Sequence, residues 1–247
     1  MTSNNQTTMP ETGNNPDLHS LSIRISTDGF SFCTNNEKKE LYFTKKDPDF
    51  NRCKAICLCE PSLQKDYGKT TIFYNGIFAT LVPSTITDST NLESILLFNF
   101  PEISSDKFDY ISNAVIGYDI TYIFAIPKAL HNFLDDTFPA CKIMHANSIT
   151  LQIALKDSKK QGEKLVWADV SKSEAYIILA EEGKLKFANR FELTGDKDIL
   201  YYCGCVFEQF ALSQHNDKLY VSGDITCIDT LQNYFANCIY KETNICV

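Results

Sequence analysis

Residues 165 to 193 have the sequence LVWADVSKSEAYIILAEEGKLKFANRFEL, which predicts three β-strands joined by two tight turns. Residues 199 to 240 then predict a helix, a strand, a second helix and a last strand. This order restricts the fold strongly, because a meander followed by right-handed crossovers produces a mixed sheet with helices covering it. The second half of the chain is therefore predicted to be an α/β unit.

The N-terminal half begins in the same way. The stretch LSIRISTDGFSF predicts a hairpin that turns at Asp28-Gly29, KELYFTKK predicts a third strand, and DPDFNRCKAICLC predicts a helix. Two halves with the same order indicate a duplicated α/β chain. In the first strand the apolar face comprises Leu21, Ile23 and Ile25, and the polar face comprises Ser22, Arg24 and Ser26.

The boundaries follow from breaks in these patterns. Residues 1–18 are polar and without periodicity, which predicts a disordered tail. The charged run DSKKQGEK predicts a linker, so the first lobe is expected to span residues 19–158 and the second residues 159–247. Residues of about 70–118 fit the pattern less well, and TIFYNGIFATLVP within them predicts a hairpin about Asn75-Gly76.

Charge and hydropathy exclude several partners. The net charge is −8 and no basic block occurs, so nucleic-acid binding is not expected. No run of about 18 apolar residues is long enough to span a bilayer, and the N-terminus has neither the basic nor the apolar segment of a secretory signal. We therefore expect a cytoplasmic protein without direct membrane insertion.

Three stretches carry a resemblance to a known family. LYVSGDITCIDTLQNYF and YIFAIPKALHNFLDDTFPACKIMHANSITLQIAL are similar to segments of pilus-assembly (PilM-like) and cell-division actin homologues, and LSIRISTDGFSF resembles a small uncharacterised Bacteroidetes family with the same fold. The resemblance implies an actin-like ATPase (ribonuclease H-like) fold with a nucleotide between two lobes. It also implies that residues 70–118 form the small inserted subdomain through which such relatives bind short tails of partner proteins.

The resemblance further implies where a nucleotide would lie. In such ATPases a turn after the first strand of each lobe holds the phosphates, and an aspartate organises the magnesium, a role that falls to Asp169 here. A Ser-Gly-Gly motif before a helix provides the third contact. The corresponding nucleotide-binding residues, if binding is retained, are Ser26, Asp28, Gly29, Asp169, Ser171, Ser173, Ser222 and Gly223.

All three motifs differ from the family pattern. Val170 and Ser171 stand where a glycine lets the backbone approach phosphate, and Asp28 and Gly29 are adjacent, which favours a simple hairpin turn. Asp224 places a carboxylate at a helix N-terminus that would otherwise attract an anion. These departures predict a degenerate nucleotide site.

Two functions follow from these observations. The first is a protein-interaction or scaffold module without cofactor, catalytic residues or hydrolysis, which binds a protein partner through residues 70–118. The alternative is an active ATP-binding ATPase or phosphotransferase that uses Mg-ATP in the cleft, with Asp169 on the magnesium. Trp167, the only tryptophan, is expected in the core or at the lobe interface.

Overall fold

The computed structural model describes residues 19–35, 37–88, 90–195 and 197–243. The tail predicted for residues 1–18 lies outside the described residues. No helix in the described part of the chain combines the length and the apolar character needed to cross a bilayer.

Thirteen strands and six α-helices alternate along these residues. The strands are β1 (Ser20–Ser26), β2 (Gly29–Cys33), β3 (Lys38–Tyr42), β4 (Lys69–Tyr74), β5 (Ala79–Val82), β6 (Phe108–Ala114), β7 (Thr121–Pro127), β8 (Lys142–His145), β9 (Lys164–Val170), β10 (Glu174–Glu181), β11 (Lys184–Glu192), β12 (Lys218–Gly223) and β13 (Cys238–Tyr240). The helices are α1 (Asn51–Cys59), α2 (Leu92–Asn99), α3 (Lys128–Thr137), α4 (Asn147–Gln161), α5 (Asp198–Gln209) and α6 (Ile228–Tyr234).

Two five-stranded sheets repeat one topology. The first has the order β3-β2-β1-β4-β8 and the second the order β11-β10-β9-β12-β13. In each sheet the first three strands are antiparallel, and the remaining two run parallel to the first. The predicted duplication, with a three-stranded meander at the start of each lobe, is therefore confirmed.

A third sheet, with the order β5-β7-β6, is inserted between β4 and β8. The hairpin predicted about Asn75-Gly76 is wrong, because β4 pairs with β1 in the first sheet whereas β5 pairs with β7. The last four residues of β4 are buried, as is typical of a central parallel strand covered on both faces. The third sheet also extends through β7 to Pro127, so its strands span 79–127 rather than the expected 70–118.

Helix α4 occupies most of the predicted linker. It continues to Gln161 and ends at Gly162, whose φ of 66° and N–H bond to the Ser158 carbonyl form a left-handed C-cap. The expected lobe boundary at residue 158 therefore lies inside a helix, and the second sheet begins with β9. The linker prediction failed because Ser158 is fully buried against the second lobe although its neighbours in sequence are charged.

Each sheet has its own core, and a third core joins the lobes. Helices α1 and α3 pack on the first sheet, and α5 and α6 pack on one face of the second. The other face of the second sheet shares a cluster with α4 and the insertion, in which Trp167, Tyr176, Leu151 and Tyr122 are all buried. Trp167 is therefore a core residue at the lobe interface, as predicted.

Candidate functional site

The first turns of the two lobes contact each other directly. Asp28, in the two-residue turn between β1 and β2, accepts a hydrogen bond from the Ser26 hydroxyl at 2.9 Å. Its second carboxylate oxygen accepts a hydrogen bond from the Ser173 hydroxyl, in the β9–β10 turn, at 2.5 Å. The structure thus brings together residues 145 positions apart in sequence, and both oxygens of Asp28 are satisfied by protein hydroxyls.

Further contacts hold these turns together. The Lys172 ammonium lies 4.5 Å from the centre of the Tyr42 ring, a cation–π contact between the second lobe and β3. Just beyond the same turn, Glu174 accepts a hydrogen bond from the Asn75 amide and is paired with Arg190. Both lobes therefore contribute groups to the contacts that hold the two turns together, through an amide–carboxylate hydrogen bond and a cation–π contact.

Asp169 lies at the end of β9, where the resemblance places a magnesium ligand. One of its oxygens accepts a hydrogen bond from Ser222 at 2.7 Å, and the other accepts one from Thr150 of α4 at 3.0 Å. The Trp167 indole N–H donates to Ser222 at 2.9 Å. Within the described residues, no group of three or more His, Cys, Asp or Glu side chains is arranged to hold a metal ion.

Gly223 is constrained by the strand beside it. It pairs with Val170 in the parallel β12–β9 ladder and has a φ of 85°. A Cβ at this position would lie 2.1 Å from the Val170 carbonyl oxygen, and the Asp224 N–H donates to that oxygen at 2.7 Å. A close approach of two backbones therefore accounts for this glycine, without a ligand.

A cavity of about 460 Å³ lies between the lobes beside these turns. Five of the predicted site residues line it, namely Ser26, Asp28, Gly29, Ser171 and Gly223, whereas Asp169, Ser173 and Ser222 do not. Three cations and four carboxylates also line the cavity, and most of these side chains were not predicted. The charged residues are Arg24, Lys38 and Lys172, and Asp28, Glu40, Asp224 and Glu242.

The sequence did contain a signal for the lobe-one wall of the cavity. Arg24 lies on the polar face of β1. Exposed and half-buried residues alternate strictly along β3, so Glu40 and Tyr42 lie on one face of that strand. The register aligns Arg24 with Ser31 and Ser31 with Glu40, so polar side chains form a row across three strands. An uninterrupted polar face on an otherwise buried sheet indicates a cleft on that side.

His145 is buried at the end of β8 and does not line the cavity. Its Nε2–H donates to the Gly76 carbonyl at 3.1 Å, and its Nδ1 accepts from the Asn147 N–H at 3.3 Å, which is the pattern of a neutral ring. The ring stacks on Tyr122 at 4.6 Å between centres. Burial lowers the pKa of His145 to about 4, so the group is uncharged at neutral pH.

Comparison with known proteins identifies both family and fold. Residues 11–240 match the profile of a family described as "Protein of unknown function (DUF3822)". No curated protein matches the chain significantly.

Two solved structures have similar folds. A Bacteroides thetaiotaomicron protein with an actin-like ATPase fold and unknown function has a TM-score of 0.76 and 22% sequence identity, over 92% of this chain and 91% of that chain. The PilM–PilN type IV pilus biogenesis complex has a TM-score of 0.58 and 9% identity, over 92% and 88%. The chain therefore has the actin-like ATPase fold.

Proposed function

The chain belongs to the DUF3822 family, and on that premise we propose that it is a cytoplasmic protein-interaction module whose actin-like cleft no longer hydrolyses nucleotide. The proposal has two parts, a degenerate nucleotide site and a protein partner bound through the insertion. Each part is supported by different residues and is tested separately.

The contact between Asp28 and Ser173 carries the first part. In a nucleotide-binding member of this fold, the first turns of the two lobes would face the phosphates from either side. Here the two turns are joined by a hydrogen bond, and the hydroxyl that could approach a phosphate oxygen is donated to a carboxylate. A ligand with several negative charges would have to break this bond and lie beside Asp28, which is unfavourable.

The charge of the cleft supports the same part. Its lining has one more carboxylate than cations, and Asp224 adds a negative charge beside the segment that leads into α6. A nucleotide triphosphate would therefore meet no excess of positive charge. The residues expected to hold a nucleotide, including Asp169 and Ser222, instead form hydrogen bonds with one another.

Exposed apolar side chains on the insertion support the second part. Phe98, on α2, is 88% exposed, and Ile116, Ile86 and Ile77 are also exposed large apolar residues of the insertion. Four of the ten exposed large apolar side chains among the described residues are thus on the insertion, and exposed apolar patches are typical of interaction surfaces. The PilM–PilN complex, which shares the fold, is itself an assembly of two proteins.

Mg-ATP titration tests the first part. Because Asp28 and Ser173 already bond to each other, we expect millimolar Mg-ATP to leave the unfolding midpoint unchanged, whereas a functional site would stabilise the protein by about 2.7 kcal/mol at a hundredfold excess over Kd. A concentration-dependent stabilisation that disappears in Asp169→Ala would contradict the proposal and favour the active ATPase. The readout is differential scanning fluorimetry on both proteins.

Affinity capture with matched variants tests the second part. We expect Phe98→Asp to abolish capture of a specific protein from the host lysate, because it places a charge on the most exposed apolar residue of the insertion. Leu58→Asp is the control, since Leu58 is 60% exposed on α1, outside the insertion. Equal capture by both variants would mean that the partner binds elsewhere.

A further inference from the structure

Arg24 is a half-buried cation on the wall of the interlobe cavity. We propose that this cavity binds a small organic monocarboxylate or zwitterion through the Arg24 guanidinium. The site lies in the cleft between the lobes. The proposal rests on the proposed function in one respect only, namely that no nucleotide occupies this cleft. The two are separable by experiment.

The sheet register fixes the position of Arg24. It lies on β1 two residues before Ser26, so both side chains are on the face of the first sheet that is turned towards the second lobe. Its neighbour across the ladder is Ser31, whose side chain is short. On the other side of Arg24 its neighbour is the buried Phe73 of β4, so the cavity is open above Arg24 on the β2 side.

Arg24 differs from the other two arginines of the chain. Arg190 is paired with Glu174 through two nitrogens, and Arg52 donates to the Lys45 carbonyl at 3.3 Å and covers the Phe43 ring. Among residues 19–35, 37–88, 90–195 and 197–243, no group accepts a hydrogen bond or forms an ion pair with the Arg24 guanidinium. A partly dehydrated guanidinium without acceptors is unfavourable, and a bound anion relieves that cost.

The carboxylates near Arg24 are already engaged. Asp28 accepts hydroxyls on both oxygens, from Ser26 and Ser173. Glu40, in the same row across the strands, is paired with Lys38 at 3.1 Å and accepts the Tyr42 hydroxyl at 3.2 Å. None of the described carboxylates is therefore left to pair with Arg24, whose guanidinium is available to a ligand.

The surroundings select a singly charged ligand of modest size. The planar fork of arginine matches the two oxygens of a carboxylate. The mixture of cations and carboxylates in the lining disfavours a phosphate dianion but tolerates a monoanion or a zwitterion, whose ammonium group Asp224 could accept. A volume of about 460 Å³ is sufficient for a ligand the size of an amino acid.

Ligand-observed NMR on the full chain tests the proposal with four probes: acetate, L-glutamate, inorganic phosphate and Mg-ATP. We expect saturation transfer to acetate or L-glutamate, with affinity at least about tenfold lower in Arg24→Gln and intermediate in Arg24→Lys, which keeps the charge but loses the fork. Arg52→Gln, the matched arginine outside the cavity, should bind as the wild type does. Circular dichroism confirms that each variant is folded.

The outcomes separate the two proposals. Absence of transfer to both carboxylate probes, or equal binding by Arg24→Gln, overturns the carboxylate site. Stronger binding of phosphate than of either carboxylate also overturns it. Binding of Mg-ATP at the cleft, detected by its displacement of L-glutamate, contradicts the degenerate nucleotide site and leaves the carboxylate site supported.

Discussion

At the residue scale, Gly223 is the position at which sequence resemblance and structure give different explanations for the same glycine. We expect Gly223→Ala to destabilise the protein by about 2–4 kcal/mol, because it combines an unfavourable positive φ with a Cβ only 2.1 Å from the Val170 carbonyl oxygen. The Asp224–Val170 hydrogen bond would also be lost as the strands separate. Urea unfolding followed by Trp167 fluorescence measures the change.

Gly117 provides a matched control for that prediction. Its φ of 86° is nearly the same, but no atom lies within 4 Å of an added Cβ. Gly117→Ala should therefore destabilise the protein only through the unfavourable positive φ, by about 1–2 kcal/mol. If the two variants lose equal stability, close packing against Val170 is not what requires glycine at position 223.

His145 makes stability depend on pH. The ring is neutral in the fold because burial lowers its pKa to about 4, whereas in the unfolded chain it titrates near 6.5. The unfolded state therefore binds a proton that the folded state does not, so stability is retained above pH 6.5 and falls by about 1.4 kcal/mol per pH unit as the pH decreases towards 4.

Unfolding midpoints in urea at several pH values between 7.5 and 5 measure this slope. His145→Gln should remove about one bound proton from the pH dependence of the unfolding free energy, although it lowers stability at every pH. An unchanged slope in His145→Gln would assign the acid sensitivity to other groups.

The candidate site was predictable from sequence only where it is local. A hairpin near Asp28-Gly29 follows from residue types alone, and the structure has one, although its two turn residues are Thr27 and Asp28 and Gly29 is the first residue of β2. The bond between Asp28 and Ser173 was not predictable, because it joins two turns 145 positions apart and depends on how the lobes dock. Arg24 was on a recognised polar face, yet the lack of a partner for it among the described residues is visible only once the neighbouring acceptors are placed.

At the scale of elements, a buried serine of helix α4 forms one of the contacts that hold this helix to the second lobe. The Ser158 hydroxyl accepts a hydrogen bond from the Gly183 N–H, in the β10–β11 turn, at 2.9 Å. Ser158→Ala should destabilise the protein by about 1–3 kcal/mol, because the Gly183 N–H loses its acceptor.

Hydrogen exchange of the Gly183 amide, together with urea unfolding, measures that loss. The amide should exchange faster in Ser158→Ala than in the wild type. Lys160→Ala, at an exposed position of the same helix, should change stability by less than about 0.5 kcal/mol and leave the amide unaffected. Unchanged protection of Gly183 in Ser158→Ala would show that another group holds the turn.

Elements with strong local patterns were predictable, and those defined by long-range pairing were not. The two meanders appear where alternation and turn residues placed them. β4 and β5 were joined into a hairpin because Asn75-Gly76 is a common turn sequence. The parallel pairing of β4 with β1 outweighs that preference, since it buries Ile72 and its neighbours in the first core.

At the scale of the whole molecule, the two lobes are joined by a continuous core rather than by a flexible linker. Tyr122 of the insertion donates a hydrogen bond to Tyr176 of the second sheet at 2.9 Å, and both side chains are buried in the cluster that contains Leu151 of α4. Separating the lobes would expose this cluster to water, which is costly. The lobes are therefore not independent folding units, despite the duplicated topology.

We accordingly expect one cooperative unfolding transition. Trp167 is the only tryptophan and lies in the second lobe, so its fluorescence reports that lobe, whereas far-UV circular dichroism reports the whole chain. The two urea midpoints should coincide. Tyr122→Phe should lower both midpoints equally, and the unfolding free energy by about 1 kcal/mol, because the hydrogen bond to Tyr176 is lost. A fluorescence transition that precedes or follows the dichroism transition would show that one lobe unfolds alone, and the shared core would then not couple them.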